Sequence, residues 1–241
     1  MLEIQNFKKI IIANWKLNGS IQFAKNYIKN IDFVSSNDEK NLIVCPPVPL
    51  IPYLKSDKFY IGAQDTSIYN LGAFTGEISS KLLKEVGCDF SLVAHSERRK
   101  IFNENKDDIL DKIENLISSN IIPIFCIGEN LQQRKENLTK EILKDQILSS
   151  LPSKIDQNKI IIAYEPVWSI GTGLIPKIEE ILEIHYFIKN DIFKNFNLKI
   201  VYGGSVKADN YKSIIDERLV DGLLVGGASI NLDEFNQIIK F

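Results

Sequence analysis

The sequence predicts an α/β protein, a closed (β/α)8 barrel in a single domain over residues 1–241. Three observations predict it. Short runs rich in Ile, Val and Leu recur along the chain, each almost continuously apolar, as strands buried on both faces of a parallel sheet read. Segments of helical periodicity lie between most of them. No Pro/Gly/Ser-rich linker or low-complexity stretch divides the chain. Strand–helix alternation calls for parallel strands joined by right-handed crossovers, and eight such units fill a barrel of about 250 residues. An open doubly wound sheet is the alternative, but it more often shows two separable halves, and none is visible.

The predicted strands are residues 9–13, 42–45, 60–63, 90–94, 122–127, 160–164, 199–202 and 222–225. Polar and glycine-containing strings mark most of their ends. Asn14-Trp15-Lys16 follows the first strand, Gln64-Asp65 the third and His95-Ser96-Glu97 the fourth. Gly128-Glu129 follows the fifth, Glu165-Pro166 the sixth, Gly203-Gly204-Ser205 the seventh and Gly226-Gly227 the eighth. Ile109, Leu110, Ile113, Leu116 and Ile117 form one helical stripe; Ile178, Ile181, His185, Ile188 and Ile192 form another. A last helix is expected over residues 232–240. In a parallel barrel the residues after the strands converge on one rim, where such barrels carry their active sites.

Composition excludes several classes. Charge is −2 from 29 basic and 31 acidic residues, too balanced for a field that holds nucleic acid. At 44% hydrophobic and 25% charged the chain is not globally disordered. No apolar run approaches the roughly 20 residues of a membrane span. The first residues carry neither a basic nor an apolar leader region, so no secretory signal is expected. Three separated cysteines, Cys45, Cys88 and Cys126, suggest free thiols in a reducing compartment, hence the cytoplasm. The two histidines, His95 and His185, form no zinc pattern, and no metal site is expected.

The rim residues carry the chemistry. Glu165 closes an apolar strand; alone it reads as a solvated strand end, but beside a His and a Lys it suits a general base. His95 stands at the rim, and backbone N–H groups of a helix starting behind it would disfavour the imidazolium. His185 lies in an apolar helical stripe and reads as packing. Lys16 suits a fixed cation for an anionic substrate or a developing oxyanion, and Asn14 adds a neutral donor on the same side of an extended segment. The glycine pairs after the last two strands suit a phosphate site. Ile170-Gly171-Thr172-Gly173 lacks dinucleotide spacing. The stretch from Pro166 to Pro176 reads as a lid with a stiff start and a Gly-rich tip.

The strings Asn14-Trp15-Lys16-Leu17-Asn18, Gly72-Ala73-Phe74-Thr75-Gly76-Glu77, Ala94-His95-Ser96-Glu97-Arg98-Arg99, Cys126-Ile127-Gly128-Glu129, Tyr164-Glu165-Pro166-Val167-Trp168, Tyr202-Gly203-Gly204-Ser205 and Val225-Gly226-Gly227-Ala228-Ser229 occur in this order along the whole chain. Together they closely resemble the triosephosphate isomerase family, itself a common worked case of acid–base tuning and lid closure. The resemblance implies the TIM-barrel fold. It implies interconversion of dihydroxyacetone phosphate and D-glyceraldehyde 3-phosphate, in glycolysis and gluconeogenesis, without a cofactor. Glu165 is then the base, neutral His95 the carbonyl polariser, Lys16 the charge partner, Asn14 its orienter and Glu97 its support. Gly171, Ser205, Gly226 and Gly227 are then the phosphate contacts. It also implies a homodimer in which the loop from Gly72 to Glu77 enters the neighbouring subunit and Thr75 reaches its active site.

Three departures stand out. Asp65 replaces the more usual Asn and, if ionised, needs a partner. Ser169 replaces Ala in the lid. The lid ends Leu174-Ile175-Pro176-Lys177, and family tyrosines at the positions of Tyr164 and Tyr202 often bond a hinge N–H that Pro176 lacks. Two rival readings are another phosphate-binding barrel enzyme, expected to lack these motifs in combination, and a non-catalytic barrel, expected to have lost base, electrophile or cation.

Overall fold

The computed structural model describes residues 2–32 and 40–240. The predicted domain's end residues, Met1 and Phe241, lie outside them. Eight parallel strands run β1 (Lys9–Asn14), β2 (Lys40–Cys45), β3 (Tyr60–Ala63), β4 (Phe90–Val93), β5 (Ile122–Ile127), β6 (Ile161–Tyr164), β7 (Lys199–Tyr202) and β8 (Gly222–Val225). They pair in sequence order and close between β8 and β1, where Ile11 stands opposite Leu223. The barrel is therefore closed, and the open-sheet alternative falls.

Because side chains alternate across a strand, each strand feeds two cores. Ile10, Ile12, Ile43, Phe90, Leu92, Ile124, Ile161, Val201 and Leu224 fill the barrel interior. Ile11, Ala13, Val44, Phe125, Ile162 and Leu223 face outward under the helices. This double burial is why the strands read as continuous apolar runs.

The helices are α1 (Ile21–Asn30), α2 (Ser80–Glu85), α3 (Ser96–Ile101), α4 (Lys106–Ser118), α5 (Leu131–Lys135), α6 (Thr139–Ser150), α7 (Ile178–Phe187), α8 (Tyr211–Ile215) and α9 (Leu232–Ile239). Eight regular βα repeats are a simplification. Between β2 and β3 the described chain forms only a 3-10 turn, Val48–Tyr53, because Pro47, Pro49 and Pro52 remove the N–H groups an α-helix needs. In α4, Ile109, Ile113 and Leu116 are buried as predicted. Asn105 caps this helix by accepting from Asp107 and Asp108 N–H, and Asp108 returns a bond to the Asn105 N–H. The last helix stops one residue short of the predicted end. Among the described residues no helix is long and apolar enough to cross a membrane.

Candidate active site

The rim brings the predicted residues together. Asn14, Lys16, His95, Glu165, Gly171, Ser205, Gly226 and Gly227 line one pocket of about 460 Å³. Glu97 lies outside it, in the adjoining groove, and reaches in through Lys16.

Lys16 leaves β1 with φ +52°, a left-handed conformation that costs an L-residue energy. Asn14 holds it there, its Oδ1 accepting the Lys16 N–H at 3.0 Å. Gln64 clamps the other side, donating to Lys16 O at 2.8 Å and Cys45 O at 2.9 Å. The Lys16 ammonium donates to Glu97 Oε1 at 2.5 Å. A compact cation is thus fixed at the pocket wall. The orienting role of Gln64 is missed in the sequence because a Gln carries no charge pattern.

His95 caps α3. Its Nδ1 accepts the Glu97 N–H at 3.2 Å, which leaves Nε2 as the protonated nitrogen of the neutral ring. Nε2 faces Glu165 Oε1 at 3.2 Å. The expected depression of its pKa needs correction. Burial presses the imidazolium down, but the Glu165 carboxylate beside it outweighs burial, and the net direction is up. That rise belongs to the pair. A second ring proton would cost the bond to the Glu97 N–H, so the geometry favours the neutral form.

Glu165 is almost fully buried at the end of β6. Its Oε2 has no partner. Two of its neighbours must be glycines: a Cβ on Gly203 would stand 2.8 Å from the Glu165 side chain, and one on Gly128 would stand 1.7 Å from the Glu165 carbonyl oxygen. A desolvated carboxylate with one oxygen left without a hydrogen bond is costly in a folded protein.

The lid, residues 166–176, is tied to the rim at its base. Trp168 Nε1 donates to Glu129 Oε1 at 2.9 Å, and Arg134 lies over the Trp168 ring at 4.9 Å. Burial pushes the Glu129 carboxyl up; the Trp168 donor opposes this. Tyr164 donates to the same Glu129, and Tyr202 meets Ser169, so neither tyrosine bonds residue 176. This agrees with the missing N–H of Pro176. Glu129 shows in the sequence as a rim residue; its hold on the lid shows only in the fold.

Asp65 has its partners. Lys112 donates to it at 2.7 and 3.0 Å and Arg98 at 2.9 Å. Both cations also bond Glu104. His185 is buried in α7 with Nδ1 at 3.0 Å from Leu219 O, a packing residue as read. The three cysteines are free and buried. Among the described residues, no three His, Cys, Asp or Glu side chains gather as a metal site would require.

The family model for triosephosphate isomerase matches residues 9–241. The chain belongs to the triosephosphate isomerase family. It is 40% identical to triosephosphate isomerase of Francisella philomiragia over 97% of this chain and 96% of that one. It is also 40% identical to that of Mycoplasma mobile, over 97% and 99%. A crystal structure of triosephosphate isomerase from Bartonella henselae superposes with a TM-score of 0.87 at 29% identity, over 96% of this chain and 97% of that one. As a triosephosphate isomerase family member the chain is an enzyme, an isomerase.

Proposed function

We propose that the protein interconverts dihydroxyacetone phosphate and D-glyceraldehyde 3-phosphate through an enediolate, with Glu165 as the base. The observation that carries this reading is the buried Glu165 carboxylate, with Oε2 unpartnered and Oε1 one hydrogen bond from His95 Nε2. The bare oxygen removes a carbon-bound proton and returns it at the adjacent carbon. Neutral His95 donates from Nε2 to the carbonyl oxygen and carries protons between the two oxygens. Lys16, anchored by Glu97 and oriented by Asn14, balances the charge that develops. Backbone N–H groups of Gly171, Ser205, Gly226 and Gly227 hold the phosphate; a positive φ of 68° at Gly171 suits a tight lid tip. No cofactor takes part. Lid closure keeps water from the enediolate and so suppresses loss of phosphate.

The same reading gives the enzyme a glycolytic and gluconeogenic place in the cytoplasm, as a homodimer. Support for the dimer is an exposed loop, residues 72–77, and a groove of about 570 Å³ beside Lys16, Asp65 and Glu97.

The test is turnover of D-glyceraldehyde 3-phosphate, with product read by an NADH-coupled reductase. Glu165→Gln keeps the shape and removes the base. Its turnover is expected to fall by about three orders of magnitude, within the range for a lost general base. A variant as fast as the parent removes Glu165 from the mechanism.

A further inference from the structure

Ser169 sits in the lid, fully buried. Its hydroxyl has one proton and two lone pairs. The proton goes to Leu174 O at 2.7 Å, near the lid's far end. One lone pair accepts the Ser205 N–H at 3.2 Å. Tyr202 OH stands 3.4 Å away and, since the serine proton is committed, Tyr202 is the donor there. One side chain thus ties two parts of the lid to the turn after β7. The turn is shaped for it. A Cβ on Gly204 would stand 2.0 Å from Tyr202 OH and 2.9 Å from Ser169 Oγ.

The Ser205 N–H is also one of the phosphate donors in the proposed function, and a second role for it rests on that reading. An N–H given to Ser169 is not available to a phosphate oxygen. We infer that Ser169 is a positioning residue that holds the Ser205 N–H in reserve, so that phosphate binding and release of this knot compete. As phosphate takes the N–H, the freed lone pair of Ser169 accepts more fully from Tyr202. The lid and the phosphate turn then change together, because both are fastened to one oxygen. By linkage, the Ser169–Ser205 bond weakens phosphate binding by no more than its own net worth, about a fivefold change for an ordinary hydrogen bond.

The experiment measures inorganic phosphate binding and steady-state turnover of the full chain and two variants, each first checked for a cooperative melt. Ser169→Ala removes the acceptor. Its phosphate Kd and KM are both expected to fall by about fivefold. Its kcat should not rise, since tighter phosphate contacts slow product release. Tyr202→Phe leaves the Ser169–Ser205 bond in place and should give no tightening. That contrast separates release of the N–H from general loosening of the lid. In amide spectra the Ser205 N–H of Ser169→Ala should move toward its phosphate-bound position before phosphate is added. Unchanged or weaker phosphate binding by folded Ser169→Ala overturns the inference, as does equal tightening in Tyr202→Phe. If the parent protein turns over and binds phosphate while Ser169→Ala behaves identically, only the knot fails. If the parent does neither, the functional reading fails with it.

Discussion

His185 and His95 show how one residue type meets opposite electrostatic pushes within one fold. Glu165 lifts His95, whereas no carboxylate stands beside His185. Burial pushes the His185 imidazolium down to about 4; the Leu219 carbonyl opposes this, and the Lys189 and Lys9 charges add to it. An unfolded His titrates near 6.5. Between pH 6.5 and 4 the unfolded chain therefore takes up a proton that the folded chain refuses, so this residue makes stability fall as pH falls. The full effect is about 3 kcal/mol at the acid end of that window. In His185→Asn, which does not titrate, the urea midpoint should drop less between pH 7 and 4.5 than in the parent. Parallel pH profiles for the two proteins would remove His185 as the cause. The role of each histidine is legible in sequence from its setting, a strand end for one and an apolar helical stripe for the other. The upward push on His95 is not, since it depends on Glu165, seventy residues away along the chain and placed beside it by barrel closure.

At the scale of elements, the strands are legible to within a residue or two because burial on both faces makes them continuous apolar runs, and β1 and β2 outrun their predicted bounds at the polar residues Asn14, Lys40 and Asn41. Connections read less well. The four prolines after β2, Pro46, Pro47, Pro49 and Pro52, show in the sequence, but only the fold shows that a 3-10 turn suffices to cover Ile61 and Leu42 there. Lys112 lies in α4 beside the apolar stripe and is buried, since Asp65 and Glu104 meet its ammonium from two other segments. No helical period announces that. The lid is an element of its own kind. Besides its ties at Glu129 and Ser169, Thr172 Oγ1 donates to Trp168 O at 2.8 Å and accepts the Leu174 N–H at 3.2 Å. Such internal bonds hold the segment together as a unit. Its far end is fixed by Pro176, whose ring restricts φ and removes a donor from the hinge. Lys177 comes next, its N–H given to Glu180 at 2.7 Å, so α7 begins with no slack. Pro176→Ala loosens this hinge and restores a backbone N–H there. Lid exchange measured by relaxation dispersion at the Trp168 indole N–H is expected to quicken, with phosphate affinity little changed. Unaltered dispersion would show that the hinge is set elsewhere.

Across the whole molecule, the charges and the exposed apolar side chains point the same way. Asp65, Arg98, Glu104 and Lys112 join two successive βα units, those of β3 and β4, in a neutral four-charge cluster beside the groove that holds Lys16. Such a cluster keeps its geometry because removing any member leaves the other three with one uncompensated charge among buried and partly buried groups. Around the groove, large apolar side chains stay open to water: Leu17 is 96% exposed, Ile101 65% and Phe102 63%. Single exposed apolar residues are ordinary, but a group of them beside a cleft marks an interface. In a two-fold dimer the same loop and groove meet twice, so each exposed loop finds a cavity already shaped in its neighbour. The loop is internally braced. Phe74 stacks on Tyr69 with ring centroids 3.5 Å apart, and Glu77 N–H closes onto Phe74 O at 3.1 Å. Lys16 lines both the pocket and this groove, so a neighbour's loop would steady the cation of the proposed mechanism. Thr75→Arg puts a long cation at the loop tip, toward a groove wall that already carries Lys16 and Arg98. Sedimentation velocity should then report one-chain mass in place of two. Turnover per chain should fall by a factor on the order of a hundred, the cost of letting catalytic groups drift by about an ångström. A parent protein that sediments as a single chain at full turnover would sink the dimer. A Thr75→Arg dimer with normal turnover would instead move the interface away from this loop.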